Sequence, residues 1–406
     1  MTSMSHRHGQ ASGLIGALRR LRDPLLLAVL PVTIAILTIS IGYLPDWPIG
    51  FDFRGTLWEP ARAILDDGRI YPEPTRDAVL VGNPAVYPPV FILLATPLAL
   101  FPVAVAAWIW FVLLGLSVFV AMWVLGVRDW RCLVLAVTSP VVVHGLFYGN
   151  LTIALILLVA LAWRYRDHAL VSGIAVGAAI AAKLFAWPLV FWLLFTRRLR
   201  AAGFAVGSSV LVVLGAWAVI GFDGLVDYPT LLRQVQDVYA VRSVSVSTLV
   251  GALGAPHTMA VASAWAAGVV TLVVAGVLVR KPDGDRRAFT VVVLACIVTS
   301  PIVWPNYIAL LLVPIAVTWP RLAPAWFLGY GVWLAGIVAP RPVASGVCCR
   351  PEDVPVQAWE WSHVDPAPWY AAGVLLLATG VTVMAVATSR RNLRSSRARR
   401  LEEATA

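Results

Sequence analysis

The chain has 406 residues, of which 60% are hydrophobic and only 13% charged, with a formal net charge of +10. Apolar runs recur from Leu25 to Ala387, so a water-soluble core is excluded, and the gaps between them, about 25 to 45 residues at most, hold no soluble domain. The basic surplus does not point to nucleic acid, because its arginines fall in segments between the runs, where they answer anionic headgroups.

The first 23 residues are read as a cytoplasmic segment, followed by a membrane domain over 24–388 and a basic cytoplasmic tail over 389–406. A first span over 24–44 ends in GYLPDW, which lacks the small-residue pattern of a processed signal, so it is expected to stay as a permanent helix. The loop over 45–86 carries the densest chemistry. From Phe53, apolar residues Phe53, Leu57, Trp58, Ala61, Ile64 and Leu65 recur at helical spacing, which predicts an amphipathic helix lying on the outer membrane surface. Asp52 stands immediately before it. Two roles compete for its carboxylate: an N-cap on the first free amides, or a proton acceptor at the mouth of a cavity. Glu59, Asp66 and Asp67 read as the solvated face of the same helix.

The run YPPVFILLATPLALF (87–101) is too short and too rich in proline to cross, and reads as a re-entrant or interfacial helix. Spans follow at about 103–127, 132–148, 150–163, 169–182, 184–196, 202–221, 258–279, 288–302, 304–318, 322–340 and 367–388, judged against the roughly 20 residues a crossing needs. With the first, that makes about twelve. Several are short and come in pairs, broken at Gly149-Asn150, at Lys183 and over 301–304. Short helices that stop early leave a water-accessible depression, the one setting in which irregular backbone is tolerated at membrane depth. Asn150, Trp304, Asn306 and Tyr307 are therefore expected to line a cavity, with His144 either lining it or packing as a hydrogen-bonded core residue.

Lys183 interrupts an otherwise apolar stretch, GIAVGAAIAAKLFAWPLVFWLLF, with no carboxylate nearby in sequence. An ionisable residue in a span is costly and marks a functional site by default; the competing reading is that the lysine snorkels to outer headgroups. The segment 221–247 repeats the interfacial design, with Asp227 as cap, Pro229 in the first turn, and Leu225, Tyr228, Leu231, Leu232, Val235 and Val238 on one face. In the last outer loop, Trp359, Trp361, Trp369 and Tyr370 read as belt aromatics beside His363. Cys132 and Cys296 fall in spans as packing residues, whereas Cys348 and Cys349 lie in that loop as free thiols or as partners in trans.

The linking segments alternate in sign. With the amino terminus inside, the inner set carries 22 basic and 7 acidic residues and the outer set 9 and 14, a positive-inside bias that fixes orientation. No Walker loop, dinucleotide-type glycine loop or soluble nucleotide-sugar module is present, so an activated substrate has to arrive through the membrane.

The acid at the start of a surface helix, VYPPVF (86–91), the Gly149-Asn150 break, AAKLFAWPLVFWLLFTRR (181–198) and SPIVWPNYIALLLVP (300–314) together resemble glycosyltransferase family 87. That resemblance implies an all-α polytopic membrane enzyme with a GT-C-like bundle, working at the extracytoplasmic face of an actinobacterial plasma membrane. It implies a polyprenyl-phosphate sugar as donor, usually of mannose, and a glycolipid or glycan as acceptor, with no metal and no cofactor. By position, the family's loop acid falls on Asp52 and its intramembrane basic residue on Lys183. The chain departs from the family in having Asn306 and Tyr307 where members often carry a histidine. The implied reaction is one inverting displacement, with Asp52 as base and Lys183, or else Arg54, binding the departing phosphate. Arabinofuranosyl transfer from decaprenyl-phosphoarabinose stays open. A lipid-linked-sugar flippase or transporter would also use many spans and a polar cavity, but no inverted repeat of broken helices is visible.

Overall fold

The computed structural model describes residues 30–34, 49–66, 68–75, 78–79, 84–239, 243–338 and 367–388. Every regular element among them is helical. A continuous rod, α1, is assembled from Phe51–Phe53, a π-helical turn over Arg54–Trp58, and Glu59–Leu65. Then come α2 (Pro89–Ala95), α3 (Val103–Val124), α4 (Trp130–Val137), α5 (Pro140–Tyr148), α6 (Thr152–Arg164), α7 (Ala169–Ala182), α8 (Leu189–Phe195) and α9 (Leu199–Val219). The rest are α10 (Tyr228–Tyr239), α11 (Val246–Ala252), α12 (His257–Leu278), α13 (Gly284–Val298), α14 (Leu312–Thr318), α15 (Leu328–Val338) and α16 (Ala367–Ala387).

Among the described residues, four helices are long and apolar enough to cross a membrane: Val103–Val124, Leu199–Val219, His257–Leu278 and Trp369–Ala387. A fifth is added if α4 and α5, bent by 49° at Thr138-Ser139, count as one crossing. About twelve single spans were expected, and the difference has a local cause. Pro140 and Pro188 cut apolar runs that hydropathy alone reads as continuous, and a 3-10 turn over Pro305–Leu311 opens another. The shorter apolar helices, Thr152–Arg164, Ala169–Ala182, Leu184–Phe195 and Pro305–Thr318, have only 10 to 17 residues. The expected first span lies outside the described residues except for a helical turn at 30–34, as do His363, Trp359, Trp361, Cys348 and Cys349.

Burial sorts the helices into two kinds. On α3, Trp108, Val112, Leu116, Phe119 and Trp123 are exposed, recurring at steps of three or four along one face, which is a lipid-facing stripe. Helix α13 is buried almost all round, Arg286 to Val298 included, and forms the centre of the bundle. Helices α7 and α9 approach closely because Gly173 and Gly177 sit one turn apart: a Cβ on either would lie 2.6 or 2.7 Å from the α9 carbonyls of Ala201 and Ala205. Helix α10 buries Tyr228, Leu231, Val235 and Val238, the face expected from the spacing. Cys132 and Cys296 are buried free thiols, as expected of packing residues.

Residues of the arginine-bearing segments meet one another at one end of the bundle. Asp285 takes hydrogen bonds from Arg166, Arg198 and Trp192. Asp129 caps α4 by accepting from the Arg131 amide, binds the Arg131 guanidinium and accepts from the amide of Leu322. Hydrogen bonding from Arg131 outweighs burial and holds the Asp129 carboxyl below the usual carboxylate range. Arg286, buried at the same end, bonds Asp283, the Thr318 hydroxyl and the carbonyls of Ala385 and Thr388.

Candidate active site

A surface rod and two helix ends converge on one buried polar cluster. Gly50, in the left-handed region at φ 81°, turns the chain into α1, and its amide donates to the Phe147 carbonyl at 2.8 Å. A Cβ there would come within 2.9 Å of the Ala107 Cβ, so the turn packs directly on α3. Phe53 is fully buried and stacks on Trp110, whose indole nitrogen donates to the Gly149 carbonyl at 2.8 Å. Gly149, at φ 70°, ends α5, and a Cβ on it would lie 2.7 Å from that of Phe53. Helix α1 therefore begins against the α5–α6 break.

These contacts set Asp52 beside Asn150. The Asn150 amide nitrogen donates to the Asp52 carboxylate at 2.5 Å, while its carbonyl oxygen accepts from Lys183 Nζ at 3.0 Å and from the Thr152 amide at 3.0 Å. Only this orientation of the Asn150 amide gives a donor to the carboxylate and an acceptor to the ammonium. Lys183 Nζ also donates to the Thr152 hydroxyl at 2.8 Å and the Tyr307 hydroxyl at 3.1 Å, so all three of its protons are engaged. It lies over the rings of Tyr307 and Tyr87, 4.4 and 5.1 Å from their centroids. Asp52 is within electrostatic reach of Lys183, Tyr87 and Tyr307.

The lysine is buried, with 6% of its surface exposed, and does not snorkel in this arrangement. It is also the C-cap of α7, where the negative pole of that helix stabilises an ammonium. Asp52 lies in the first turn of α1 rather than capping it; the N-cap is Gly50 and no side chain caps the helix. The carboxylate accepts from the Asn150 amide. The adjoining π-helical turn over Arg54–Trp58 is a rare form of helix that recurs at functional sites, and here it buries Thr56 and Leu57 next to Asp52.

The other expected residues are distributed around this centre. Tyr307 belongs to the cluster and stacks on Phe185 at 4.7 Å. His144 stacks on Tyr148 at 4.6 Å, and Tyr148 meets Phe51 edge-on, forming an aromatic flank near the start of α1. Asn306 is buried against α5, where a Cβ on Gly145 would lie 3.1 Å from its own, and its amide nitrogen has no hydrogen-bond partner among the described residues. Trp304 is half-buried and meets Tyr239 edge-on at 6.0 Å. Arg54 is exposed and pairs with Glu59 at 2.8 Å, so its guanidinium is not drawn into the cluster.

Thr152 and Tyr87 were not anticipated. Tyr87 sits where two tyrosines grip its strand of backbone: Tyr71 donates to the Tyr87 carbonyl and Tyr228 to the Val86 carbonyl, each at 2.8 Å. Tyr71, Tyr228 and Trp217 form a mutual aromatic stack behind that segment. The short length of this stretch and the proline pair after Tyr87 are the sequence signals for a re-entrant or interfacial segment there.

The sequence model of glycosyltransferase family 87 matches residues 85–314, more than half of the chain. That range includes Tyr87, Asn150, Thr152, Lys183 and Tyr307, and stops short of Asp52. No curated protein and no solved structure matches the chain.

Proposed function

The chain belongs to glycosyltransferase family 87, and on that premise we propose that it moves a mannosyl residue from a polyprenyl-phosphate donor to an extracytoplasmic glycolipid or glycan acceptor. The family indicates glycosyl transfer in general; donor, sugar, acceptor and stereochemistry are part of the proposal. Its main support is the Asp52–Asn150–Lys183–Tyr307 chain of contacts, which joins a half-exposed carboxylate to a buried ammonium through one amide.

In the proposed reaction, the acceptor hydroxyl gives its proton to the Asp52 carboxylate as its oxygen attacks the anomeric carbon. The bond from that carbon to the phosphate oxygen breaks, and its electron pair leaves with the polyprenyl phosphate. Attack from the face opposite the phosphate inverts the anomeric centre. The Lys183 ammonium meets the charge on the departing phosphate after exchanging one of its three protein hydrogen bonds for a phosphate oxygen. Asn150 holds the base in register, and the rings of Tyr87 and Tyr307 screen the ammonium from water.

The proposal retains about twelve membrane-embedded segments, with the short helices completing their crossings through the polar breaks, and puts the cluster on the outer side. The charge alternation supports that sidedness. So does the gathering of Arg166, Arg198, Arg131 and Arg286 away from Lys183, at the other ends of α6 and α7, about 20 Å off by helical rise.

The test is incubation of the purified protein with polyprenyl-phosphomannose or polyprenyl-phosphoarabinose and a set of glycolipid acceptors. Mannosyl transfer with inverted configuration is expected. Transfer of arabinofuranose alone reassigns the donor. No transfer from either, with lipid-linked sugar crossing protein-containing vesicles, replaces the enzyme with a flippase.

A further inference from the structure

The end of the bundle away from Lys183 carries a cavity of about 470 Å³, lined by Arg166, Arg197, Arg198 and Arg200, by Asp167, and by the first residues of α7 and α9. Two of the arginines are structural: Arg166 and Arg198 are tied to Asp285, and Arg198 also to Asp167. The other two are uncommitted. Neither Arg197 nor Arg200 has a side-chain hydrogen bond or ion pair among the described residues, and both are exposed.

Arg197 holds an unusual backbone. Its amide donates to the Leu194 carbonyl and the next amide, of Arg198, to the Leu193 carbonyl, the paired bonds that close a helix through a left-handed residue. That residue is normally glycine, yet here it is an arginine at φ 58°. The backbone would be better served by glycine, so what arginine adds is its side chain. Helix α9, 21 residues long, starts beside it with no side-chain cap, and its first-turn residues Leu199, Arg200 and Ala201 line the cavity. Leu199 begins a helix long enough to cross the membrane, so the cavity mouth lies where hydrocarbon gives way to headgroups.

We propose that this cavity is a binding site for the phosphate headgroup of an anionic phospholipid, held by Arg197 and Arg200 and by the free amides that open α9. The parallel amino-terminal ends of α7 and α9 add their positive poles to the same spot. The lipid is favoured over a free anion because the cavity opens at a membrane-spanning helix start and a lipid brings its own acyl anchor.

Native mass spectrometry of the full chain released from micelles tests this, with phosphatidylglycerol and phosphatidylcholine as paired probes and inorganic phosphate as competitor. Wild type should retain phosphatidylglycerol preferentially, and phosphate at equal concentration should not displace it. The double variant Arg197→Gly, Arg200→Gln should bind phosphatidylglycerol roughly thirtyfold more weakly, about 2 kcal/mol, and lose the preference over phosphatidylcholine. Arg197→Gly alone should unfold at a higher temperature in lipid-free micelles, because glycine accepts φ 58°; that guards against loss of binding through misfolding. Unchanged preference in the double variant overturns the site, and displacement by phosphate at equal concentration overturns the lipid as its occupant.

Discussion

Replacing Asp52 by Asn separates chemistry from architecture, because the side chain keeps its size and one carbonyl oxygen can still accept from the Asn150 amide at the same place. In folding, the hydrogen bond to Asn150 passes from charge-assisted to neutral, a difference of about 1 kcal/mol, and the Lys183 ammonium loses a nearby carboxylate. The helix start is not at stake, since Gly50 and not Asp52 is the N-cap. What changes in catalysis is the proton acceptor, whose loss typically costs about 10²- to 10⁴-fold in rate, or about 3 to 6 kcal/mol of barrier at 1.4 kcal/mol per tenfold. The rate should therefore fall by far more than the stability. Transfer of labelled mannose from polyprenyl-phosphomannose in proteoliposomes reads the first quantity, and thermal unfolding in micelles reads the second. Turnover at the wild-type rate, or a fall in both by the same free energy, would refute the base assignment.

Three further outcomes follow from the geometry. Lys183→Met should reduce donor affinity and rate by roughly 10-fold or more, the worth of a charged hydrogen bond, with Lys183→Arg between it and wild type; a Met variant that binds polyprenyl-phosphate sugar normally removes the lysine from the site. Gly149→Ala should destabilise by more than about 2 kcal/mol, because a Cβ at φ 70° is strained and meets Phe53 at 2.7 Å; unfolding at the wild-type temperature would contradict the packed break. Asp129→Ala should cost about 1 kcal/mol near neutral pH through loss of a cap. The Asp129 carboxyl titrates low in the folded chain, so its contribution is present above the unfolded carboxylate pKa of about 3.9 and fades as pH falls through the lower folded value. The gap in unfolding temperature between wild type and variant should narrow on acidification below about pH 4, and a gap that widens would reverse the sign.

The parts of the site that could be read from sequence are those that violate their surroundings. Lys183 is a charge in an apolar run, Asn150 follows a glycine in another, and Asp52 opens an amphipathic stretch, so each announces itself without any knowledge of neighbours. Thr152 and Tyr87 do not, because a hydroxyl in or beside a span is ordinary and becomes informative only when the chain brings Lys183 onto it across 31 residues. Arg54 shows the converse. It is two residues from Asp52 in sequence, but positions two apart point to different sides of a helix, and its guanidinium lies with Glu59 instead. The described residues hold four or five full-length spans beside several shorter apolar helices for a related reason: hydropathy sums apolar residues but does not register where Pro140 or Pro188 ends the helix that carries them. Charge alternation groups Arg166, Arg198 and Asp285 in inner segments, and in the fold these three side chains meet.

Arg286 joins parts of the chain made far apart in time. Its guanidinium, 1% exposed, is shared among Asp283, Thr318, and the carbonyls of Ala385 and Thr388 at the end of α16. A ribosome emits those last partners about a hundred residues after the arginine. Until then two of the acceptors that answer the buried cation are missing, and leaving a buried charge short of partners is costly. Docking of α16 thus completes the hydrogen bonding of a guanidinium buried at one end of the bundle, and a chain cut before Ala385 lacks two of its acceptors.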